Sequence, residues 1–396
     1  MAEWLKTSLI DIVELIGGGT PKTSKAEYWG GNINWLSVKD FNNENRYVYS
    51  TEKNITEEGL NNSSTKLLRK DDIIISARGT VGELAMIPFP MAFNQSCYGI
   101  RAKDGINSTF LYYLIKHSVR KLKAMTHGSV FDTITRDTFA NIEVAIPDIE
   151  TQQRVAKMLA DIDDKVENNQ RINNNLEQQA QAIFKSWFVD FEPFGGVIPN
   201  EWKQTKLGDS CNCILGGTPS RNKSEYWNGS IPWINSGEVN KFRIIKPSET
   251  ITNLGLEKSA TKLLPAKTTV LAITGATLGQ VSLLEIDACA NQSVVGIIPN
   301  DNLPYEYIYP LIKQNIAELI SHQTGGAQQH INKQNVENLD IVIPAYTHLM
   351  KYQNTVCGIY EMIANNCFEN DRLSSVRDTL LPKLMSGELD VSNIKI

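Results

Sequence analysis

An internal repeat is the feature that most constrains how this chain of 396 residues folds. The motif Gly-Gly-Thr-Pro at residues 18–21 returns at residues 216–219, displaced by 198 positions. Asn-Gln-Ser at residues 94–96 returns at residues 291–293, displaced by 197. A displacement this constant along the whole chain is typical of two copies of one structural unit. Each copy mixes short β-type runs with one helical stretch, so each predicts a mixed α/β globule.

A long helix is predicted to follow each globule. Neither Pro nor Gly occurs between residues 149 and 187, and apolar residues recur there at the 4,3 spacing of a heptad seam. A shift of 197 gives a second seam with one polar intrusion, Arg377. The two seams are Val155, Leu159, Ile162, Val166, Asn169, Asn173, Leu176, Ala180, Ile183 and Trp187, and Tyr352, Val356, Ile359, Ile363, Asn366, Asn370, Leu373, Arg377, Leu380 and Leu384.

The asparagines at the centre of each seam can face each other in a parallel or an antiparallel pair of helices, so the direction of the pair depends on connectivity. If the helices are antiparallel, Asn169 lies level with Asn370, and Asn173 lies level with Asn366, so that amide meets amide. A pseudo-twofold axis between the repeats produces this arrangement. The fold class is therefore α+β: two similar mixed α/β globules separated by two long antiparallel coiled-coil helices. The predicted domains are globules at 1–147 and 193–344, long helices at 148–192 and 345–386, and a tail at 387–396.

Composition limits the classes of function. The formal net charge of −5 excludes a protein that is basic all over, although it leaves room for a local basic face. No apolar run approaches the roughly 20 residues that span a bilayer, and the first residues are unlike a signal peptide, so we expect a cytoplasmic protein without a membrane partner. Six scattered cysteines indicate free thiols, and no cysteine and histidine spacing fits a metal site.

The motifs of the common DNA-acting enzymes are absent from the sequence. There is neither a phosphate-cradling P-loop nor the Asn/Asp-Pro-Pro-Tyr tetrapeptide of amino-methyltransferases. The Gly-Gly-Thr-Pro motifs favour tight turns over a phosphate-binding loop. Basic residues around the helix near 109–122 form either a phosphate-facing surface or a solvated helix face. The sequence therefore predicts a binding protein without catalytic residues of its own.

The repeated blocks, the Ile-Pro that opens each long helix and the closing Leu-Pro-Lys-Leu-Met-Ser-Gly-Glu-Leu-Asp-Val at 381–391 resemble the specificity subunit of type I restriction-modification systems. The resemblance covers the whole chain. It implies two globules that each read half of a bipartite double-stranded DNA target, and two helices that set the gap. It also implies two docked methyltransferase subunits, with restriction subunits in the full complex. S-adenosylmethionine, ATP and Mg would be bound by those partners, and this chain would hold no cofactor.

Candidate DNA-binding residues are polar positions near the repeated motifs, in the basic stretch around the helix near 109–122, and in the divergent loops before each Ile-Pro strand. Four aromatic residues near the end of the first long helix are too many for one seam and predict a partner-binding surface: Phe184, Trp187, Phe188 and Phe191. The DNA-binding candidates are Thr20, Lys22, Lys25, Lys39, Arg78, Thr80, Lys121, Lys123, His127 and Ser129 in the first copy, and Thr218, Arg221, Lys223, Thr274, Thr277, Gln328, Gln329 and His330 in the second.

Two other classes of protein share part of this pattern. A free-standing two-headed DNA-binding regulator would have the same repeat and helices, but it would need no partner surface on the helices. A lectin-like scaffold would explain the repeated tryptophans, but it predicts a secretion signal.

Overall fold

The computed structural model describes residues 4–43, 45–126, 133–321, 329–392 and 394, with the side chains of residues 120–126 excepted. The chain divides into two compact units. Unit 1 comprises Met1–Asn168 and Asn370–Ile396, and unit 2 comprises Asn169–Glu369. Each unit contains one globule together with the parts of both long helices that belong to it.

The described part of the first globule contains ten strands and three helices. The strands are β1 (Leu5–Ser8), β2 (Val13–Gly17), β3 (Trp29–Leu36), β4 (Lys53–Ile55), β5 (Leu67–Leu68), β6 (Ile73–Ser76), β7 (Leu84–Met86), β8 (Met91–Phe93), β9 (Cys97–Ala102) and β10 (Glu143–Ile146). The helices are α1 (Glu57–Asn61), α2 (Ser108–Thr126) and α3 (Arg136–Ala140), and the long helix α4 (Ile149–Phe188) follows.

The second globule repeats these elements. Its strands are β11 (Lys203–Lys206), β12 (Asn212–Leu215), β13 (Trp227–Ile234), β14 (Glu249–Ile251), β15 (Leu263–Leu264), β16 (Thr269–Ala272), β17 (Val281–Leu283), β18 (Ala288–Ala290), β19 (Val294–Ile298) and β20 (Asp340–Ile343). Its helices are α5 (Leu207–Ser210), α6 (Asn253–Glu257), α7 (Tyr305–Gln314), α8 (Ile316–Ser321) and α9 (Lys333–Glu337), before the long helix α10 (Tyr346–Met385).

Both globules have the same sheet topology. The first has sheets of order β4-β3-β8-β5 and β2-β9-β6-β7 and a ribbon β1-β10; the second has β14-β13-β18-β15, β12-β19-β16-β17 and β11-β20. Pairing is antiparallel except between β3 and β8 and between β13 and β18. The predicted repeat is therefore confirmed at the level of strand order.

Alternating apolar residues place β6 between two cores. Ile73 and Ile75 face the core that contains α2, whereas Ile74 faces the core between the two four-stranded sheets. In the second globule Leu271 packs on the α7 side, and Val270 packs on the opposite side. This period of two is what a strand buried on both faces requires.

The long helices run antiparallel within each unit, as the sequence predicts. In unit 1, Asp163 of α4 contacts Arg377 of α10, while the carbonyl of Val166, farther along α4, accepts a bond at 3.4 Å from Asn370, which is earlier in α10. In unit 2, Asn169 donates to Glu369 at 2.7 Å, and Phe184 packs against Tyr352. Within the described residues, no helix is both long enough and apolar enough to cross a membrane.

The central asparagine of unit 2 forms the predicted amide pair. The side-chain nitrogen of Asn366 donates to the side-chain oxygen of Asn173 at 2.8 Å. The other predicted pair, Asn169 with Asn370, has one member in each unit and stays a prediction.

Candidate nucleic-acid interface

The two glycines of each Gly-Gly-Thr-Pro motif allow a loop to lie directly against the turn between two strands. A Cβ atom on Gly18 would lie 2.1 Å from the Asn94 carbonyl oxygen, and one on Gly216 would lie 2.2 Å from the Asn291 carbonyl oxygen. Because no side chain tolerates such a contact, only glycine fits at these positions. The motif therefore serves packing, and it brings the threonine that follows to the turn.

In the first globule, three loops and one segment lie side by side, and we call them the first loop edge (residues 18–22, 94–96, 77–80 and 133–134). The Thr20 hydroxyl bonds to the side-chain oxygen of Gln95. The carbonyl of Ser96 accepts a bond from the Ala77 N–H at 2.8 Å, and the carbonyl of Ala77 accepts one from the Ile134 N–H at 3.0 Å. Gln95 is exposed at the middle of this edge.

The second globule has the equivalent surface, the second loop edge (residues 216–220, 291–293, 274–277 and 329–331). Thr218 bonds to Gln292 as Thr20 bonds to Gln95. Ile273 donates to the Ser293 carbonyl at 2.9 Å, and Ile331 donates to the Ile273 carbonyl at 3.0 Å. Each loop edge is therefore built by backbone bonds of the strand scaffold, which fixes its loops relative to one another.

The second loop edge brings together candidates that lie more than 50 residues apart in the sequence. The Gly275 N–H donates to the Gln329 carbonyl at 3.0 Å, and Thr274 and His330 form an isolated β-bridge. Thr277 lies in the same short 3-10 turn as Gly275. Gln329 and His330 are exposed. Four predicted residues thus share one surface.

The corresponding loop of the first loop edge carries Arg78 and Thr80, both exposed. Ala77 and Ile273 make the same backbone bonds, so Arg78 stands where the second globule has Thr274. Lys22 is exposed after the Gly-Gly-Thr-Pro motif, at the position of Ser220. Lys39 is exposed in the 3-10 turn Val38–Asp40 that follows β3.

A lysine and a tyrosine form the same pair beside each loop edge. The ammonium group of Lys25 donates to the Tyr28 hydroxyl at 3.1 Å, and that of Lys223 donates to the Tyr226 hydroxyl at 2.9 Å. The hydrogen bond to the neighbouring tyrosine raises the pKa of each lysine. Both side chains are therefore exposed cations at neutral pH.

Arg221 is held differently from the other basic candidates. Its guanidinium lies 3.7 Å from the ring centre of Trp227 and bonds to both carboxylate oxygens of Glu249. The bonds to Glu249 raise the pKa of the arginine further. A nucleic acid would have to share this guanidinium group with Glu249.

Five candidates lie outside the residues or side chains that the structure describes. They are Lys121, Lys123, His127, Ser129 and Gln328. Their assignment to DNA binding stays a prediction.

Metal-ligating side chains do not cluster among the described residues, and three of the cysteines have unreactive thiols. Within them, no three His, Cys, Asp or Glu side chains gather at a metal-binding distance. The six cysteines are free, and burial raises the pKa of the Cys97, Cys211 and Cys213 thiols to about 12. These three thiols are protonated and poorly nucleophilic at neutral pH.

The sequence is similar to one family along both repeats. Residues 1–178 and 199–348 match the type I restriction modification DNA specificity domain. The MjaIX specificity subunit of a type I restriction enzyme from Methanocaldococcus jannaschii is 32% identical and is aligned over 99% of this chain and 95% of its own length. The HindI specificity subunit from Haemophilus influenzae is 27% identical over 68% of this chain and 74% of its own.

The chain belongs to the type I restriction-modification DNA specificity family. The fold agrees: the crystal structure of the type I restriction-modification S subunit from M. genitalium aligns with a TM-score of 0.60 at 16% identity, over 96% of each chain. The predicted family is therefore confirmed, and the two loop edges are surfaces of a specificity subunit.

Four aromatic residues of this specificity subunit were predicted to bind a partner, and all four pack against other residues of unit 2. Phe184 is buried and contacts Tyr307 and Tyr352, with ring centres 5.7 and 6.3 Å apart. Trp187 and Phe188 contact Tyr352 as well, but they remain half-buried. Phe184 is thus covered by the globule and presents no surface to a partner.

The half-buried members of this cluster keep some accessible surface. Phe191 packs edge-to-face against the ring of Trp202, with ring centres 5.9 Å apart, and it is half-buried. A partner contact through Trp187, Phe188 and Phe191 stays a prediction.

Sequence reasoning missed two pairs of residues that the repeat relates. Gln95 and Gln292 lie within the repeated Asn-Gln-Ser block but were not among the candidates. Arg46 and Arg243 are displaced by 197 and are both buried. The constant displacement of 197 identifies both pairs as equivalent positions of the repeat. It does not indicate whether such a position is exposed or buried.

Proposed function

We propose that this chain is the non-catalytic DNA-recognition subunit of a type I restriction-modification complex. Each globule reads one half of a bipartite target with its loop edge. The two long helices set the gap between the half-sites and dock methyltransferase subunits. The observation that carries the proposal is that two loop edges built by the same backbone bonds present different side chains.

The loop edges divide into shared and divergent positions. The Thr-Gln pair and the Lys-Tyr pair occur in both. Arg78 in the first edge replaces Thr274 in the second, and Lys22 replaces Ser220. Contacts to the sugar-phosphate backbone carry no sequence information, whereas base edges are read by specific side chains. The shared positions therefore suit the DNA backbone, and the divergent ones suit the bases.

The chemistry of the divergent side chains fits readout in the major groove. An arginine such as Arg78 donates two parallel bonds to guanine O6 and N7, and a glutamine such as Gln329 pairs with adenine N6 and N7. Both side chains are exposed, and the backbone is bonded to the globule at Gln329 and at Ala77, the residue before Arg78. Rigid support of this kind lowers the entropy cost of binding.

The partners would supply the chemistry. Two methyltransferase subunits would bind S-adenosylmethionine, and restriction subunits would bind ATP and Mg in the full complex. This chain would act in the cytoplasm on double-stranded DNA and would transfer no methyl group alone. The family match does not favour the alternative of a free-standing two-headed regulator.

The test is to express the chain with a methyltransferase subunit encoded beside it and to map methylated bases in the host genome. We expect one asymmetric bipartite motif with a fixed gap. The purified chain with DNA and labelled S-adenosylmethionine should transfer no label. Methylation at a single continuous site, or transfer without a partner, would contradict the proposal.

A further inference from the structure

Two repeat-related arginines connect the globules to the long helices. Arg46 is 7% exposed and Arg243 is 4% exposed, which is unusual for a residue that is always charged. Arg46 follows β3, and Arg243 follows β13. The next residue in each globule forms a β-bridge: Tyr47 with Met86, and Ile244 with Leu284. The backbone of each arginine is therefore fixed to its globule, while its side chain reaches a helix.

In unit 1, the acceptors on α4 are two adjacent acids. The Arg46 guanidinium forms an ion pair with Asp164. The neighbouring Asp163 accepts a bond from the buried Tyr113 of α2 at 2.6 Å and one from Arg377 of α10 at 2.8 Å. Asp163 and Asp164 thus join both long helices to the first globule.

In unit 2, one buried acid on α4 takes the same role. Glu177 accepts a bond from Arg243 at 2.8 Å and one from Lys313 of α7 at 2.9 Å. Arg243 also donates to the Tyr309 hydroxyl at 3.0 Å, and its guanidinium lies 5.9 Å from the ring centre of Tyr360 on α10. Its contacts therefore include both long helices.

We infer that Arg46 and Arg243 are positioning residues that fix the orientation of each globule on the helices, and thereby the single gap length between the half-sites. The inference rests on the proposed function. A buried ion pair is a weak source of stability, because the cost of removing two charges from water offsets their attraction. Its geometry is demanding, however, since the planar guanidinium bonds only along fixed directions. The Arg243–Glu177 pair is buried on both sides, whereas in the Arg46–Asp164 pair the arginine is buried and the acid is exposed. At repeat-related positions, the two buried guanidinium groups are suited to setting an angle.

Apolar contacts in the same place would hold a globule with less angular definition. A core of leucines and tyrosines tolerates small sliding movements, whereas an arginine that bonds Glu177 and Tyr309 at once allows one arrangement. Loss of the arginine should therefore change which gap lengths are accepted and leave the bases that are read unchanged, because the loop edges contain neither arginine.

The experiment uses Arg46→Met and Arg243→Met, each co-expressed with the methyltransferase subunit, and genome-wide mapping of methylated sites. We expect the wild-type half-sites at the wild-type gap, together with new sites whose gap is one base pair longer or shorter. The share of methylated sites with a non-native gap should rise at least tenfold. Arg243→Lys keeps the charge and one bond to Glu177, and it should give an intermediate share.

The matched control is Val270→Ala, which weakens the core between the two sheets of the second globule, a cluster that contains no residue of either long helix. It should lower methylation at the native gap without admitting other gaps. If Arg243→Met does not yield a folded complex, Glu177→Gln, which removes the charge but keeps the volume, should show the same relaxed gap.

Several outcomes would overturn the inference. A folded Arg243→Met complex that methylates only the native gap would do so, and so would equal relaxation in Val270→Ala. Either result would leave the proposed function standing, since the wild-type complex would still read a bipartite site. A wild-type complex without a fixed gap would overturn both.

Discussion

Asn173 and Asn366 face each other between the long helices of unit 2, with the amide nitrogen of Asn366 2.8 Å from the side-chain oxygen of Asn173. Asn173 is 3% exposed and also donates to the Ile363 carbonyl at 3.4 Å. A polar residue at a seam position costs stability and specifies the register of the pair. The amide pair therefore defines which residues of α4 and α10 lie opposite each other in this unit.

Replacement of one amide should cost more than replacement of both. Asn173→Leu leaves the half-buried amide of Asn366 without this acceptor, and we expect a loss of about 1 to 3 kcal/mol in the free energy of unfolding. The double variant Asn173→Leu with Asn366→Leu should recover most of it. Urea unfolding of the wild type, Asn173→Leu, Asn366→Leu and the double variant gives the coupling energy directly. Asn174→Leu, at the adjacent exposed position, is the control, and additive losses would contradict the pairing.

The decrease of the free energy of unfolding at acid pH should depend on Glu177. Burial alone would raise the pKa of Glu177, but the charges of Arg243 and Lys313 outweigh it and hold the pKa at about 2, below the ordinary 4.5. A carboxylate with a lowered pKa contributes stability above its unfolded pKa and loses it as the pH falls. The contribution should therefore disappear between about pH 4.5 and 2.

Glu177→Gln tests this contribution. It should lower the free energy of unfolding at pH 7 by about 3 kcal/mol, as expected when one partner of a buried pair is removed. It should also flatten the decline below pH 4.5. Glu257→Gln, at an exposed position of α6, removes the same charge from the same unit and is the matched control. Parallel pH curves for the wild type and Glu177→Gln would disprove the assigned role.

The two loop edges should be separable by single substitutions. Arg78→Ala should relax base preference in the first half-site only, and Gln329→Ala should do so in the second only, at about 1 to 3 kcal/mol for each lost base contact. Lys25→Ala should instead weaken binding to all sequences alike and reduce the salt dependence by about one counterion. Methylation maps and salt titrations distinguish these outcomes. Equal effects of Arg78→Ala on both half-sites would contradict the assignment.

Much of the architecture follows from two periodicities in the sequence. The displacement near 197 predicts two globules of one topology. The heptad spacing predicts two paired helices, and a pseudo-twofold axis between the repeats makes them antiparallel. Asn173 and Asn366 could be paired in advance because each stands near the centre of its seam. These inferences succeed because the repeat and the heptad depend on the order of residues alone.

Contacts that leave the seam could not be predicted in the same way. Arg377 interrupts the second heptad, and the structure shows why the interruption is tolerated: its guanidinium bonds to Asp163 at 2.8 Å. Asp163 is not a seam position, so the heptad gives it no special status. The surplus of aromatic residues at Phe184 likewise finds its partners in Tyr307, more than 100 residues away. Such pairs depend on how the globule packs on the helix.

The length of the helices should determine the gap between the half-sites. Inserting seven residues beside Asn173 in α4 and seven beside Asn366 in α10 keeps the heptad phase of both seams. At 1.5 Å per residue, the pair lengthens by roughly 10 Å, which is about three base pairs of DNA. We expect a methylated motif whose gap is about three base pairs longer, with both half-sites unchanged. The insertion in α4 alone breaks the pairing and should reduce methylation without giving a new defined gap. An unchanged gap in the doubly extended protein, or a change in either half-site, would show that the helices do not set the spacing.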